Sequence, residues 1–302
     1  MTSAVLPLPG FLQKLYLRFA PRHRVGQDPL AGTAQARFKP VPIHNLKLPT
    51  PVARQLLARR HIAPLTLEEG KRLTVLVPFR GREAHLAQLR PALESHLQAQ
   101  GIDYKLLVIE QQGTGTFNKA RLLNAGMLHS AADSDYYCIH DVDNIPVNAD
   151  YRCPSQPLRL VTKLLSTHRQ ETEYLDHYFS GAVTLRKEHA FAANGLSNHY
   201  WGWGKEDDDF FFRLLMQGFC CHADQEGTYH DLANPQAQHF SKATKKRTSP
   251  QLEANRHRRN SLLRLQLDPA KDGLNSLTYS ILARETEGRF EKILVDIGSQ
   301  GR

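Results

Sequence analysis

Apolar and polar positions along this chain change period in a way that marks its elements. Leu73-Thr-Val-Leu-Val77 is short, continuous and rich in β-branched residues, which predicts a buried strand. From about Glu83 to Gln100 the spacing lengthens, with Leu86, Leu89, Leu93 and Leu97 on one helical stripe. Tyr104 to Ile109 reads as a second strand, Phe117 to Gly126 opens a second helix, and Tyr136 to Ile139 is a third strand. Strand alternating with helix predicts an α/β fold with a mainly parallel, twisted sheet flanked by helices. In such sheets ligands bind beyond the carboxyl ends of the strands. Residues 1–70 are Pro-rich, basic and weakly periodic, so they read as an arm with short helices, one over Pro51 to Arg60. Residues 71–302 then form a single catalytic-sized domain.

The pattern breaks most sharply at Trp201-Gly-Trp-Gly-Lys-Glu-Asp-Asp-Asp209. Phe210 to Met216 is an apolar run that reads as a helix, which puts the four acids in its first turn, where the helix dipole favours negative charge. An acidic cap on an ordinary helix accounts for Asp209 alone. It does not account for alternating Trp and Gly, because glycine is costly to order and indole seeks a buried face or a flat ligand. The stretch reads as a loop carrying an aromatic platform beside carboxylates, one of which can act as a general base towards a sugar hydroxyl.

Composition narrows the partners. The chain has 302 residues, 41% hydrophobic and 23% charged, as expected of a globular protein. A net charge of +9 suits a phosphorylated substrate, an anionic membrane surface or simple solubility. No apolar run approaches the ~20 residues of a membrane span. Met1 to Gly10 lacks a signal-peptide pattern. Leu12 to Arg24 mixes apolar and basic residues, and both peripheral membrane contact and packing on the domain are open for it. Cys138, Cys153, Cys220 and Cys221 are too few for a disulfide scaffold and fit no zinc spacing.

Two strand ends carry groups suited to a nucleotide. Arg80 and Arg82 follow the first strand, with forked donors that fit phosphate. His140-Asp-Val-Asp143 follows the third. An Asp there can hold a hard divalent ion bridging two phosphates, and Mn2+ would tolerate an added imidazole from His230 or His239.

Val77-Pro-Phe-Arg-Gly-Arg82, Phe117-Asn-Lys-Ala-Arg-Leu-Leu-Asn-Ala-Gly126, Asp141-Val-Asp143, Tyr178-Phe-Ser-Gly181, Asn198 to Asp209 and Asp272-Gly-Leu-Asn-Ser-Leu-Thr-Tyr279 follow one another across about residues 72 to 298. Together they resemble the β-1,4-galactosyltransferase family, inverting enzymes of the GT-A fold. The resemblance implies that Pro78, Phe79, Arg80, Arg82, Phe117 and Lys119 line a uridine-diphosphate pocket, that Asp141 faces the nucleotide and that Asp143 ligates Mn2+. It makes Trp203 the indole that closes over the donor, Asp207 the general base, and Glu206 and Asp208 the groups that bind and orient the acceptor sugar. Tyr178 matches the position whose bulk favours galactose over N-acetylgalactosamine, with Gly181 beside it.

The chain departs from the family pattern at several points. Lys119 stands for arginine, Lys205 for glycine and Ser180 for the first glycine of a pair near the acceptor. The metal histidine aligns with His239 by spacing or with His230 by local pattern, and the family's methionine ligand has no counterpart. The resemblance places Cys138 and Cys153 near positions that animal members join by a disulfide. Animal members also carry a membrane anchor and stem, so the expectation here is a bacterial-type relative in the cytoplasm, peripheral at most to the membrane.

The reading is transfer of galactose from UDP-galactose to a glycan, glycolipid or polysaccharide hydroxyl, β-1,4 in type, with Mn2+. The alternatives are another UDP-sugar, such as N-acetylgalactosamine or a uronic acid, and a catalytically silent glycan-binding module. Nucleic acid is not expected as a partner, because the basic stretch Lys242 to Arg264 lacks aromatic residues for base stacking. That stretch reads instead as a flexible loop that orders over the diphosphate.

Overall fold

The structure is a computed structural model, and it describes residues 37–60, 64–166, 172–175, 179–232 and 249–300. At its centre, strand Arg72–Phe79 pairs in parallel with Asp103–Gln111 on one side and Tyr136–His140 on the other. Asp103–Gln111 pairs in parallel with Phe290–Asp296. Every residue from Leu73 to Phe79 is buried, because both faces of this strand are covered. Leu73, Val75, Val77 and Phe79 pack on one side with Leu89, Leu93 and Leu97 of helix Glu83–Ala99. Leu76 points to the other side, into a core shared with helices Lys119–Ser130 and Glu206–Met216.

Among the described residues this sheet has nine strands. Its flanks turn antiparallel, through Ala182–Arg186 against Tyr136–His140 and through Ser280–Glu287 against Phe290–Asp296. The sheet is therefore mixed, and the expected parallel order describes its central four strands. A second sheet, of four strands among the described residues, joins Asn144–Asn148 to Thr228–Asp231, Lys163–Ser166 and Thr172–Tyr174.

From Arg37 onward the segment expected to be an arm belongs to the folded domain. Phe38–Pro40 forms the edge strand of the large sheet against His222–Asp224, and Arg37 grips the buried Asp224 carboxylate with two bonds of 3.0 and 2.9 Å. Helix Thr50–Arg59 buries Val52 and Leu56. Leu12 to Arg24 lies outside the described residues. Among the described residues no helix is long and apolar enough to cross a membrane.

Candidate active site

Strand Tyr136–His140 ends on the acid pair, and the turn that follows is fixed by backbone. The Asp141 N–H donates to Gly181 O at 2.8 Å, and the Asn144 N–H to Asp141 O at 3.3 Å. Gly181 has φ +86°, and a Cβ there would lie 3.1 Å from both Asn144 Nδ2 and Val161 Cγ2. Only glycine fits without strain. Below Asp141 sits a buried imidazole that sequence reasoning missed. Burial lowers the His140 pKa to about 4, so the ring is neutral. Its Nδ1 lies 2.9 Å from the Asp141 carbonyl and must carry the proton there, while Nε2 faces the Tyr151 hydroxyl at 3.0 Å. Tyr229 donates to Tyr151 at 3.0 Å and completes the chain. The available signal was a histidine ending an apolar strand directly before Asp-Val-Asp.

Each acid has a cation. Arg82, at the start of helix Glu83–Ala99, donates to Asp143 Oδ2 at 2.9 Å. Lys119, the first residue of its helix, lies 2.5 Å from Asp141 Oδ1. Burial, then the Asp141 charge, raises the Asp143 pKa against the opposing pull of Arg82. Burial works against the Lys119 charge, yet Asp141 and then Glu206 hold its pKa above the ordinary lysine value. Lys119 therefore stands electrostatically between the strand-end acids and the acid helix.

Arg80 lies over the Phe117 ring at 5.3 Å and donates to Gly115 O at 2.6 Å, which ties it to the loop before Lys119. Gln111 braces that loop, donating to Thr116 O and accepting from the Asn118 N–H, both at 2.9 Å. Pro78 and Phe79 are buried at the strand end, Phe79 within the core.

Helix Glu206–Met216 begins at the acids, as its apolar pattern predicts. Glu206, Asp207 and Asp208 are half-buried, and Asp207 Oδ1 accepts from the Asp208 N–H at 2.9 Å. Burial, then the neighbouring Asp207, raises the Glu206 pKa to about 7. Burial, then Asp208, also raises Asp207. Asp209 is structural: it accepts from Tyr200 at 2.8 Å and from Arg213 at 2.5 Å. Arg213 continues to the Asp272 backbone carbonyl at 2.5 Å, and the Asp272 carboxylate accepts from Ser197, the Asn198 N–H and Arg258 at 2.5, 2.9 and 2.6 Å. This buried network, the role of the Asp272 to Tyr279 motif, was not legible beforehand.

Lys205 precedes the helix in the left-handed region, at φ +81°. Its ammonium donates to Asp208 Oδ2 at 3.0 Å. That conformation costs a side chain ~1–2 kcal/mol, and a helical ion pair at this spacing returns only ~0.2–0.5 kcal/mol. Helix stability does not explain this lysine.

The tryptophan loop is held from two sides. The Gly202 N–H donates to Phe117 O at 2.7 Å. Asn255, buried on helix Pro250–Leu263, bonds the carbonyls of Trp201, Trp203 and Gly204 at 3.0, 3.4 and 3.0 Å. Trp201 is buried, whereas Trp203 is 61% exposed above the acids' helix start. The second half of the stretch read as a flexible basic loop is thus a helix, its first turn capped by Ser249 and its apolar residues Leu262 and Leu263 buried. Residues 242–248 lie outside the described residues.

His230 is exposed on strand Thr228–Asp231, opposite Ile145, and the Leu232 N–H donates to Asp143 O at 2.8 Å. The strand passes beside the acid turn. His239 and Tyr178 lie outside the described residues. All four cysteines, Cys138 and Cys153 included, are buried free thiols.

Comparison with known proteins decides the family. A family model described as the N-terminal region of glycosyl transferase group 7 matches residues 30–154, and one described as the N-terminal domain of galactosyltransferase matches residues 165–231. The chain belongs to the β-1,4-galactosyltransferase family, glycosyl transferase group 7. It is 36% identical over 243 residues to human beta-1,4-galactosyltransferase 3, covering 79% of this chain and 59% of the relative. Human beta-1,4-galactosyltransferase 1 is 34% identical over 249 residues, 78% of this chain and 58% of its own length. This chain therefore spans about three-fifths of the length of those relatives. Among solved structures, the catalytic domain of Drosophila beta1,4galactosyltransferase 7 with xylobiose superposes with a TM-score of 0.61 at 29% identity, covering 76% of this chain and 94% of that one. A mutant of the same fly enzyme was solved with manganese, UDP-Gal and xylobiose, again at TM-score 0.61, with 28% identity and the same coverage. The GT-A fold expected of this group 7 chain is the fold it has.

Proposed function

We propose that this chain transfers galactose from UDP-galactose to a sugar hydroxyl, with inversion and β-1,4 in type. The observation that carries the reading is the position of Lys119, which pairs with Asp141 and acts on the charges of Glu206 and Asp207. One cation thereby links a diphosphate-facing side to an acceptor-facing side. Inversion requires a base on the acceptor face and a leaving group assisted on the other. Asp207 accepts the proton of the attacking hydroxyl as the new bond to the anomeric carbon forms and the bond to UDP breaks. Arg80, Arg82 and Lys119 face the departing diphosphate, and Trp203 covers the donor sugar.

Asp141 and Asp143 offer hard carboxylate oxygens, now matched by an ammonium and a guanidinium, which is donor chemistry that fits Mn2+. Asp143 would hold the ion, with His239 or His230 as its nitrogen ligand. Among the described residues no group of three or more candidate ligands assembles. When bound there, Mn2+ supplies positive charge to the diphosphate. Tyr178 sets the donor by bulk, so Tyr178→Leu should admit UDP-N-acetylgalactosamine. The deciding experiment is a screen of UDP-sugars with Mn2+, reading UDP release with and without acceptor sugars. The account expects UDP-galactose to lead, and preference for the N-acetylated donor overturns it.

A further inference from the structure

At the acceptor edge of the site two cations converge on one carboxylate. Asp208 Oδ2 is met by Lys205 Nζ at 3.0 Å and by Arg259 Nε at 3.7 Å, so two cations face one acid. All three side chains are largely buried, which keeps their charges poorly screened. Lys205 also acts on the charge of Asp207, while Lys119, paired with Asp141, acts on Glu206 and Asp207 from the other side. Neighbouring cations on helix Pro250–Leu263 are already engaged: Arg258 by Asp272 and Ser197, and Arg256 and His257 by Glu253.

Donors are left over. An ammonium carries three N–H donors, and Lys205 uses one of them on Asp208. The distance from Arg259 Nε to Asp208 exceeds a hydrogen bond, and this buried Nε has no hydrogen-bond partner among the described residues, while Nη1 donates to Leu46 O at 3.4 Å. Lys205 is moreover held in a left-handed conformation that glycine would adopt freely, a cost its ion pair does not recover. Strain of this kind persists where the side chain has a task.

We propose that the acceptor carries an anionic group, seated against Lys205 and Arg259 at the outer edge of the acid row while its reacting hydroxyl meets Asp207. The inference rests on the galactosyltransferase reading of the same site. Of the two common anionic sugar substituents, a carboxylate brings the single charge that suits two cations already sharing one acid, whereas a phosphate brings nearly two. The acceptor is then a uronic-acid-containing glycan.

The test measures binding of D-glucuronate, glucose 6-phosphate and D-glucose, which differ only at the sixth carbon, to the full chain with UDP and Mn2+ present. Ligand-observed NMR titration gives each dissociation constant. A charge-assisted contact predicts glucuronate at least roughly tenfold tighter than glucose. Lys205→Gly, which relieves the strained backbone, should abolish the difference, and Lys205→Arg should retain it. Tighter binding of the phosphate than of glucuronate keeps the anionic pocket and changes the substituent to phosphate. Equal binding of all three, no binding of any, or a preference that survives Lys205→Gly overturns the proposal. UDP-galactose affinity measured on the same samples separates the two readings. If the donor binds normally and the anion preference is missing, this inference alone fails; if the donor does not bind, the reading of the whole site fails.

Discussion

Removing the carboxylate of Asp272 should destabilise the protein more than any exposed acid could. Asp272 joins three segments: the Ser197-Asn198 turn, helix Glu206–Met216 through Arg213, and helix Pro250–Leu263 through Arg258. The Arg213 side chain is only 2% exposed, and that of Asp272 11%. Burial pushes the Asp272 pKa upward, yet the bonds from Ser197 and Asn198 together with the charges of Arg213 and Arg258 outweigh it and hold the value below 3.8. In Asp272→Ala the Arg213 and Arg258 guanidinium groups lose their shared partner. Deleting one member of a buried ion pair costs ~3–5 kcal/mol. At about 2 °C per kcal/mol for a domain of this size, Tm should fall by roughly 6–10 °C. Asp272→Asn keeps the shape without the charge and should fall in between. A depressed carboxylate pKa contributes stability above 3.8 that is lost as pH falls through the folded value, so the deficit of Asp272→Ala should shrink on acidification below 3.8. Thermal unfolding followed by circular dichroism at several pH values reads both effects. A shift under ~2 °C near neutrality would refute the network argument.

Asn255→Ala leaves three loop carbonyls without their donor and should raise the KM for UDP-galactose more than it lowers kcat. Trp203, 61% exposed against 6% for Trp201, should then show greater fluorescence mobility, and unchanged anisotropy would count against the latch. Gly273→Ala should lower stability by more than ~2 kcal/mol in denaturant titration, because φ is +154° and the new Cβ would sit 1.8 Å from Asn194 O. Glu206 binds a proton more tightly folded than unfolded, with its pKa raised from 4.5 to about 7 by burial and then by Asp207. Its burial therefore costs stability progressively as pH rises through that window, so Glu206→Gln should gain nothing below pH 4.5 and most above pH 7 in a Tm-against-pH series.

The central strands were legible because a strand covered on both faces writes an unbroken apolar run, as at Leu73 to Val77. The acid helix was legible because Phe210, Phe211, Leu214 and Leu215 follow the acids at helical spacing. What stayed hidden depends on partners far apart in sequence. His140, Tyr151 and Tyr229 meet across 11 and 78 positions, and Arg213 finds Asp272 across 59. No local period encodes such contacts. The segment around Val41, Leu46, Val52 and Leu56 looked like an arm because its prolines and charges masked four core positions. Lys205 was visible as an added charge, but its left-handed backbone and its bond to Asp208 required coordinates.

Asp207→Asn tests the central claim most directly, since it preserves the shape of the site and removes the base. Galactose transfer from UDP-galactose with Mn2+ should be measured by UDP release in the presence of acceptor, alongside UDP-galactose affinity on the same protein. The account predicts unchanged donor binding with transfer reduced ~10²–10⁴-fold, the usual cost of a lost general base. Transfer within a few-fold of the native rate would contradict it.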